Sequence, residues 1–361
     1  MINVVCGIRS TGRICTDLAT ALEEQGHEVK IAYGRDEVPE QFQKYAVRVG
    51  NNLDVKLHAL KARLFDAAGF GSKRVTKKFI EWVKEYDPDV IHLHNIHGYY
   101  INIEILFDYL RTCGKKIIWT LHDCWAFTGH CPHFTKIGCE KWKDQCGHCP
   151  QINRYPASLF IDNSYRNYEE KKHLFTNIDN LTIVTPSNWL ADLVRDSFLK
   201  QYVIEVKNNP VDQKVFKFTP GDFREKYNLQ DKKIVLGVAS SWDENKGLSD
   251  FYKIADLLNE NYQVILVGLN HKQLKSIPQN IIGIERTNNP QTLAQIYSAA
   301  DVFVNPSYEE TFGLTTVEAK LCGTPCIVYK GTACEEIVGS QSSIENGNVS
   351  LIVERINTIC N

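Results

Sequence analysis

Two carboxylates eight positions apart, Glu310 and Glu318, bracket the stretch of this chain that is richest in chemistry. Between them lies Thr311-Phe312-Gly313-Leu314-Thr315-Thr316-Val317, preceded by Asn305-Pro306-Ser307-Tyr308-Glu309. The pattern reads as the end of a strand, a loop holding Glu310, and a helix that opens at Leu314 and carries Glu318 about one turn in. Backbone N–H groups from Phe312 to Thr315 then stand at a helix N-terminus, a ready site for an anion. A carboxylate on each side could accept hydrogen bonds from hydroxyls flanking a bound diphosphate. A nucleotide-sugar has that layout: sugar, two phosphates, ribose. Taken alone, two glutamates also describe a solvated acidic loop capping a helix.

Other residues add to this chemistry. Lys246, in Trp242-Asp243-Glu244-Asn245-Lys246-Gly247, sits where a strand gives way to a helix, and a point charge there suits two phosphates. The hydroxyls of Ser240 and Ser241 come just before it. His122 follows the strand-like run Lys116–Thr120, at its carboxyl end. In Cys6-Gly7-Ile8-Arg9-Ser10-Thr11-Gly12-Arg13, Gly7 and Gly12 have the spacing of a P-loop, but Arg13-Ile14 follows in place of Lys-Ser/Thr. Gly12 would still let the backbone approach a phosphate or sugar. No GxGxxG is present, which counts against NAD. Asp87-Pro88-Asp89 spells a metal-binding D-x-D, but a proline-bearing turn ahead of a strand explains it.

Six of the 12 cysteines crowd into one segment: Cys113, Cys124, Cys131, Cys139, Cys146 and Cys149. The last four could bind a structural zinc through thiolates, although only one CxxC pair is present. Buried thiols or a redox-sensitive loop are the alternatives. A closed four-thiolate site leaves no open position for catalysis.

The elements that must position these groups alternate. Strands are expected at Ile2–Val5, Val29–Tyr33, Val90–His94, Lys116–Thr120 and Leu181–Thr185. They recur at Lys233–Val238, Gln263–Gly268, Ile281–Ile284, Val302–Asn305 and Pro325–Tyr329. Helices are expected at Gly12–Gln25, Ile101–Thr112, Asn188–Ser197, Lys246–Asn259, Pro290–Ala299 and Leu314–Leu321. Alternating βα units imply α/β architecture with two doubly wound parallel sheets, hence two Rossmann-like domains. The break is expected at Asn209-Pro210-Val211-Asp212, giving domains 1–212 and 213–361, with a cysteine-rich loop over 123–160. Two such sheets place a ligand in a cleft beyond their strands' carboxyl ends.

Composition agrees with this class. The chain has 361 residues, with Lys plus Arg at 41 and Asp plus Glu at 43, a net charge of −2. That balance argues against a whole-protein grip on nucleic acid. No apolar run approaches the ~18 residues of a membrane span, and the N-terminus does not read as a signal peptide. Lys56, Lys61, Arg63, Lys73, Arg74, Lys77 and Lys78 are interleaved with Leu53, Leu57, Leu60 and Leu64 at helical spacing. Such a stretch, 53–78, can lie on an anionic membrane or form the solvated face of an ordinary helix.

The motifs together resemble the E-x7-E signature of the retaining glycosyltransferases of family 4, which have the GT-B fold. Pro306-Ser307, Glu310, Phe312-Gly313-Leu314, Glu318-Ala319 and Cys322-Gly323-Thr324-Pro325 carry the resemblance. It implies that Glu310 contacts the donor sugar, Glu318 the ribose hydroxyls, and the backbone of Phe312 to Thr315 the diphosphate or sugar. Lys246 would neutralise the diphosphate. Arg286, after the strand Ile281–Ile284, would lie near the base. His122 would position the sugar. The family's arginine before the lysine is replaced by Ser241, so Ser240 and Ser241, or Arg9 or Arg13, would take its place.

The resemblance implies a UDP- or GDP-sugar donor, front-face transfer, and no catalytic metal. The run His122–Cys131 is similar to that of bacterial capsule and colanic-acid-type exopolysaccharide transferases. A glycan or lipid-linked acceptor follows, with a cytoplasmic enzyme peripheral at the inner membrane. The family's terminal crossover helix looks missing after Leu351–Ile356. A GT-B nucleotide-sugar 2-epimerase and a degenerate, non-catalytic GT-B partner are the alternatives.

Overall fold

Runs of Ile, Val and Leu without polar alternation become strands covered on both faces. The computed structural model describes residues 1–287 and 289–361. The chain falls into two units, Met1–Asn208 and Asn209–Asn361. The first contains, in order, α1 (Arg9–Glu24), β1 (Ile31–Tyr33), β2 (Ala46–Arg48), α2 (Asn52–Phe65), α3 (Lys73–Tyr86), β3 (Val90–Leu93), α4 (Ile103–Thr112), β4 (Lys116–Thr120), α5 (Ser164–Phe175), β5 (Leu181–Thr185), α6 (Asn188–Arg195) and β6 (Val203–Val206). The second contains α7 (Phe223–Lys226), β7 (Lys233–Val238), α8 (Leu248–Leu257), β8 (Tyr262–Leu269), α9 (His271–Ser276), β9 (Ile281–Glu285), α10 (Pro290–Ala299), β10 (Val302–Asn305), α11 (Leu314–Leu321), β11 (Cys326–Tyr329), α12 (Cys334–Val338), β12 (Ser343–Ile344) and α13 (Val349–Cys360).

In the first unit β3, β4, β5 and β6 lie side by side and parallel, with Ile117 of β4 opposite Leu181 of β5. β1 pairs with β2. The N-terminal segment lies between β1 and β3, but only Ile2 makes ladder pairs, to Ala32 and to Leu93. The expected strand Ile2–Val5 is therefore cut down to a bridge. Asn3 explains it: buried, it turns its amide onto Val5 O at 2.8 Å and Thr11 Oγ1 at 3.3 Å. Counting that segment first, the sheet follows the order 3-2-1-4-5-6, with one more strand beyond.

The second sheet has the order β12-β11-β10-β7-β8-β9, every neighbour parallel. Counting from β7, this is again 3-2-1-4-5-6 read from the β9 edge. α13 buries Val349, Ile352, Ile356 and Cys360 in a core shared with Phe251 and Ile254 of α8. The terminal helix thus belongs to its own unit's core. Asn289 caps α10, accepting from the N–H of Gln291 and Thr292, with Pro290 in the first turn, where its missing N–H costs nothing.

Several expected boundaries move for local reasons. α1 starts at Arg9 rather than Gly12, straight after the turn at Gly7, whose φ is +72°. α8 starts at Leu248 rather than Lys246, because Gly247 stands at φ +71° and ends a short 3-10 turn over Glu244–Lys246. The basic stretch 53–78 is two helices, broken between Asp66 and Ser72, both left-handed. No expectation named β2, β6 or β12. β2 and β6 are edge strands with no fully buried residue, so they lack a buried apolar run.

Candidate active site

In a sheet of this order, ligands sit beyond the strands' carboxyl ends where the order reverses. In the second unit that place is between β7 and β10. The loop after β7 carries Ser240 and Ser241, both exposed, then Trp242, whose buried indole N–H donates to Val267 O at 2.9 Å. Asp243 caps the next turn, accepting from the N–H of Asn245 and of Lys246 at 2.9 and 3.0 Å. A Cβ on Gly247 would stand 2.4 Å from Pro306 O, so only glycine lets this loop meet the one after β10. There Tyr308 N–H donates to Asn245 O at 2.9 Å.

This close approach brings Lys246 Nζ to 2.5 Å from Glu310 Oε2. Burial alone would push the Lys246 ammonium down. The charge of Glu310 and its hydrogen bond outweigh that, and the group titrates above the usual lysine value. Neighbouring Glu309 is buried, and one of its carboxylate oxygens has no hydrogen-bond partner among the described residues.

Gly313 caps α11 at φ +87°, and a Cβ there would stand 2.4 Å from Cys334 Sγ. Asn305 Nδ2 pins the same corner, donating to Thr316 Oγ1 at 2.9 Å and to Cys334 Sγ at 3.4 Å. Intrahelical bonding starts with the N–H groups of Thr316 and Val317, which reach Gly313 O at 2.9 and 3.1 Å. The N–H groups of Leu314 and Thr315 have no acceptor within the helix, as at any helix start. Phe312 is buried beneath them. Glu318, one turn on, accepts from the hydroxyl of fully buried Tyr297 on α10 at 2.9 Å. Lys246, Glu310 and the Phe312–Thr315 loop thus gather at one end of the sheet. Arg286 stands apart, exposed beyond edge strand β9.

In the first unit the order reverses between the N-terminal segment and β3. Gly12 does not open a loop there. It is buried inside α1, and a Cβ would stand 3.0 Å from Val5 and 3.2 Å from Gly7 N, so its smallness serves helix packing. Arg9 pairs with Asp36 at 2.8 Å. Arg13 turns its Nε to Arg9 O at 3.3 Å.

His122, just past β4, lies 3.0 Å from His94, just past β3, through His94 Nδ1 and His122 Nε2. Burial pushes His122 down to about 4, with the nearby His97 adding to it and Asp123 opposing. Asp123 Oδ2 pairs with His97 Nε2 at 2.8 Å, and His97 Nδ1 lies 3.2 Å from the hydroxyl of Tyr155. Although burial opposes it, His97 holds the Asp123 carboxyl well below the usual range. Asp87, before β3, is taken by Lys115 at 2.6 Å. The D-x-D is therefore a turn.

His94, His97, Asp123 and Tyr155 are site neighbours that the sequence reading did not single out. The signal was there for two of them: His94 closes the strand-like run Val90–His94, and Asp123 directly follows His122.

Cys131, Cys139, Cys146 and Cys149 do line one small cavity, of about 20 Å³, with Phe134 and Trp142. Yet among the described residues no three His, Cys, Asp or Glu side chains group as ligands of one metal ion. Cys131 and Cys149 hydrogen-bond to each other, which pushes the Cys131 thiol up and brings Cys149 down. Cys146 Sγ accepts from Gly129 N–H at 3.2 Å.

Other contacts also tie the loop down. Phe134 stacks on Trp142 at 4.8 Å. His130 meets Asp66 at 2.5 Å, both buried. Lys171, on α5, donates to Trp125 O at 2.8 Å and Thr128 O at 3.0 Å, with its ammonium 3.4 Å from the Trp125 ring centre.

Known proteins match both units. The model for Glycosyltransferase Family 4 matches residues 11–215, and that for Glycosyl transferases group 1 matches residues 221–361. A putative colanic acid biosynthesis glycosyl transferase of Escherichia coli, WcaC, is 29% identical over 194 residues, which cover 50% of this chain and 46% of that protein. The match thus spans less than half of that relative's length.

Among solved structures, the sucrose-phosphate synthase of Thermosynechococcus elongatus superposes with a TM-score of 0.70 at 17% identity, over 99% of this chain and 88% of that one. Anabaena HepE, solved with UDP-glucose, gives 0.65 at 15% identity, over 99% and 88%. The fold is GT-B, with two Rossmann-like units. By sequence, the chain belongs to glycosyltransferase family 4.

Proposed function

We propose that this protein moves a sugar from a nucleotide diphosphate to a hydroxyl of a glycan or lipid-linked saccharide, in the building of a bacterial surface polysaccharide. The observation that carries the reading is the Lys246–Glu310 pair beside the open N-terminus of α11, at the reversal point of the second sheet. A cation and two helix N–H groups suit the charge that grows on a departing diphosphate. Before substrate arrives, Glu310 holds Lys246. Donor binding turns the ammonium to the phosphates and frees the carboxylate for sugar hydroxyls, while Glu318 takes the ribose.

His122 positions the sugar. Transfer is proposed to be retaining. The bond from the anomeric carbon to the diphosphate oxygen breaks, and a bond to the acceptor oxygen forms on the same face. The acceptor's proton leaves with the phosphate. WcaC, named for colanic acid biosynthesis, supports the polysaccharide setting. HepE, solved with UDP-glucose, makes a UDP-sugar the first donor to test and a GDP-sugar the second. Release of nucleoside diphosphate from a panel of UDP- and GDP-sugars, with and without saccharide acceptors, tests the reading. Release that depends on one base and rises with acceptor supports it. An isomerised sugar with no release would make the chain an epimerase. No turnover with any donor would overturn the transferase reading.

We further propose that the cytoplasmic face of a membrane is where this happens, with α2 as the contact. No helix among the described residues is long and apolar enough to cross a membrane. The outer face of α2 exposes Leu53, Leu57, Leu60 and Phe65, and Leu159 N–H donates to Arg63 O, so exposed Leu159 and Phe160 continue the patch. Lys56, Lys61 and Arg63 are exposed on the same helix. Apolar side chains flanked by cations suit an anionic lipid surface. Sedimentation with phosphatidylglycerol vesicles, and not with phosphatidylcholine vesicles, is expected. It should be lost in Leu57→Glu/Phe160→Glu, and equal pelleting with both lipids would contradict it.

A further inference from the structure

Three imidazoles meet at the carboxyl end of the first sheet, His92 within β3 and His94 and His122 just past β3 and β4. His92 and His94 stack with ring centres 4.2 Å apart. The rings of His94 and His122 lie within 13° of parallel, with nitrogens 3.0 Å apart. Two ring nitrogens at that distance share one proton: one donates and the other accepts. His94 is 2% exposed, and its second nitrogen, Nε2, is buried with no hydrogen-bond partner among the described residues. The position of His94 is fixed from behind, where its carbonyl accepts from Trp119 Nε1 at 3.2 Å.

Burial keeps these rings neutral, so each carries a single N–H. If His122 donated, His94 would carry its proton on Nε2, a buried N–H with nothing to receive it. Such orphan donors are rare and costly. If His94 donates, its Nε2 is a bare lone pair, and the only N–H it owns is used.

We propose that His94 donates its Nδ1–H to His122 Nε2 and thereby fixes the proton of His122 on Nδ1. His94 is thus a positioning residue, acting through His122. Its effect is to make His122 a hydrogen-bond donor through Nδ1 rather than a base, suited to a sugar oxygen. That last consequence rests on the transferase reading. The tautomer itself does not.

Nitrogen NMR of the full chain with 15N-labelled histidine tests the tautomer directly, assigned by comparison with His122→Gln. The expected spectrum shows His122 protonated at Nδ1 and bare at Nε2. His94→Phe keeps the stacked ring but removes the donor, and His94→Asn keeps an amide N–H at the Nδ1 position. In His94→Phe the His122 signals should shift toward the other tautomer, and kcat should drop about tenfold with a smaller change in donor KM. His94→Asn should restore both. A wild-type His122 protonated at Nε2, or signals unmoved by His94→Phe, would overturn the proposal. If no donor is turned over at all, the transferase reading fails, and the spectra still decide the tautomer.

Discussion

Beyond β7 and β10 of the second unit, the chain sets an ammonium against a carboxylate at the mouth of a helix. At the carboxyl ends of β3 and β4 of the first unit, it sets three stacked imidazoles that burial holds neutral. The two sheets share one strand order, so the scaffold does not explain the difference. The loops do. In the second unit, two positive-φ glycines let loops close up, Gly247 against the Pro306 carbonyl and Gly313 against the Cys334 sulfur, and leave charged groups half exposed. In the first unit, His92 lies within β3, His94 and His122 lie just past β3 and β4, and nearby His97 packs 5.2 Å from the Trp125 ring. One place presents a charged pair, the other neutral imidazoles. Fold alone would not have told them apart.

The largest effect should come from removing the cation. Lys246→Ala is expected to lower turnover about 10²- to 10³-fold, the cost of losing one preorganised charge-stabilising group. Steady-state kinetics would check this, and a change of only a few fold would place the charge elsewhere.

Acid should separate the two units. An unfolded histidine takes up its proton near 6.5, whereas folded His122 does so only near 4 and His92 near 3. Between those values the unfolded chain binds more protons, so stability is intact above about pH 6.5 and is lost as pH falls toward 4. The second unit holds one histidine, His271, and it is exposed. Hydrogen exchange followed from pH 7 to pH 4.5 should therefore show the first unit's strands opening earlier. Equal loss in both units would remove the contrast.

Gly313→Ala meets two obstacles, the +87° φ and the sulfur of Cys334. It should cost about 1–3 kcal/mol, seen as a lower melting temperature, and weaken donor binding. Cys334→Ala in the same chain should relieve the contact but not the φ, recovering only part of the loss. Tyr297→Phe is the mildest change. Losing the 2.9 Å bond to Glu318 should raise the donor KM by about tenfold or less, equivalent to about 1 kcal/mol, with kcat little changed.

Much of this was legible in the residues because local rules and the fold agree. The strand runs at Lys116–Thr120, Leu181–Thr185, Lys233–Val238 and Val302–Asn305 are apolar because they are central, and they are strands in the structure. The helix at Leu314 follows from Gly313, and the one at Pro290 from its asparagine cap and N1 proline. What was not legible depends on contacts distant in sequence. Gly12 is a different case: its neighbours Val5 and Gly7 are close in sequence, but only the fold shows them pressing on it. The cysteine loop is also tied down by Asp66, through His130, and by Lys171, partners far along the chain that no local pattern reveals. His94 could not be weighed until β3 and β4 lay side by side in register.

The central claim is that Lys246 and the N-terminus of α11 hold a diphosphate. Calorimetric titration of UDP, GDP, uridine and guanosine into the wild-type chain and into Lys246→Ala tests it most directly. The account predicts that one diphosphate binds at least about a hundredfold more tightly than its nucleoside, a difference of about 2.7 kcal/mol, and that the variant loses most of that difference. Equal binding of diphosphate and nucleoside, or an advantage that survives in Lys246→Ala, would contradict it.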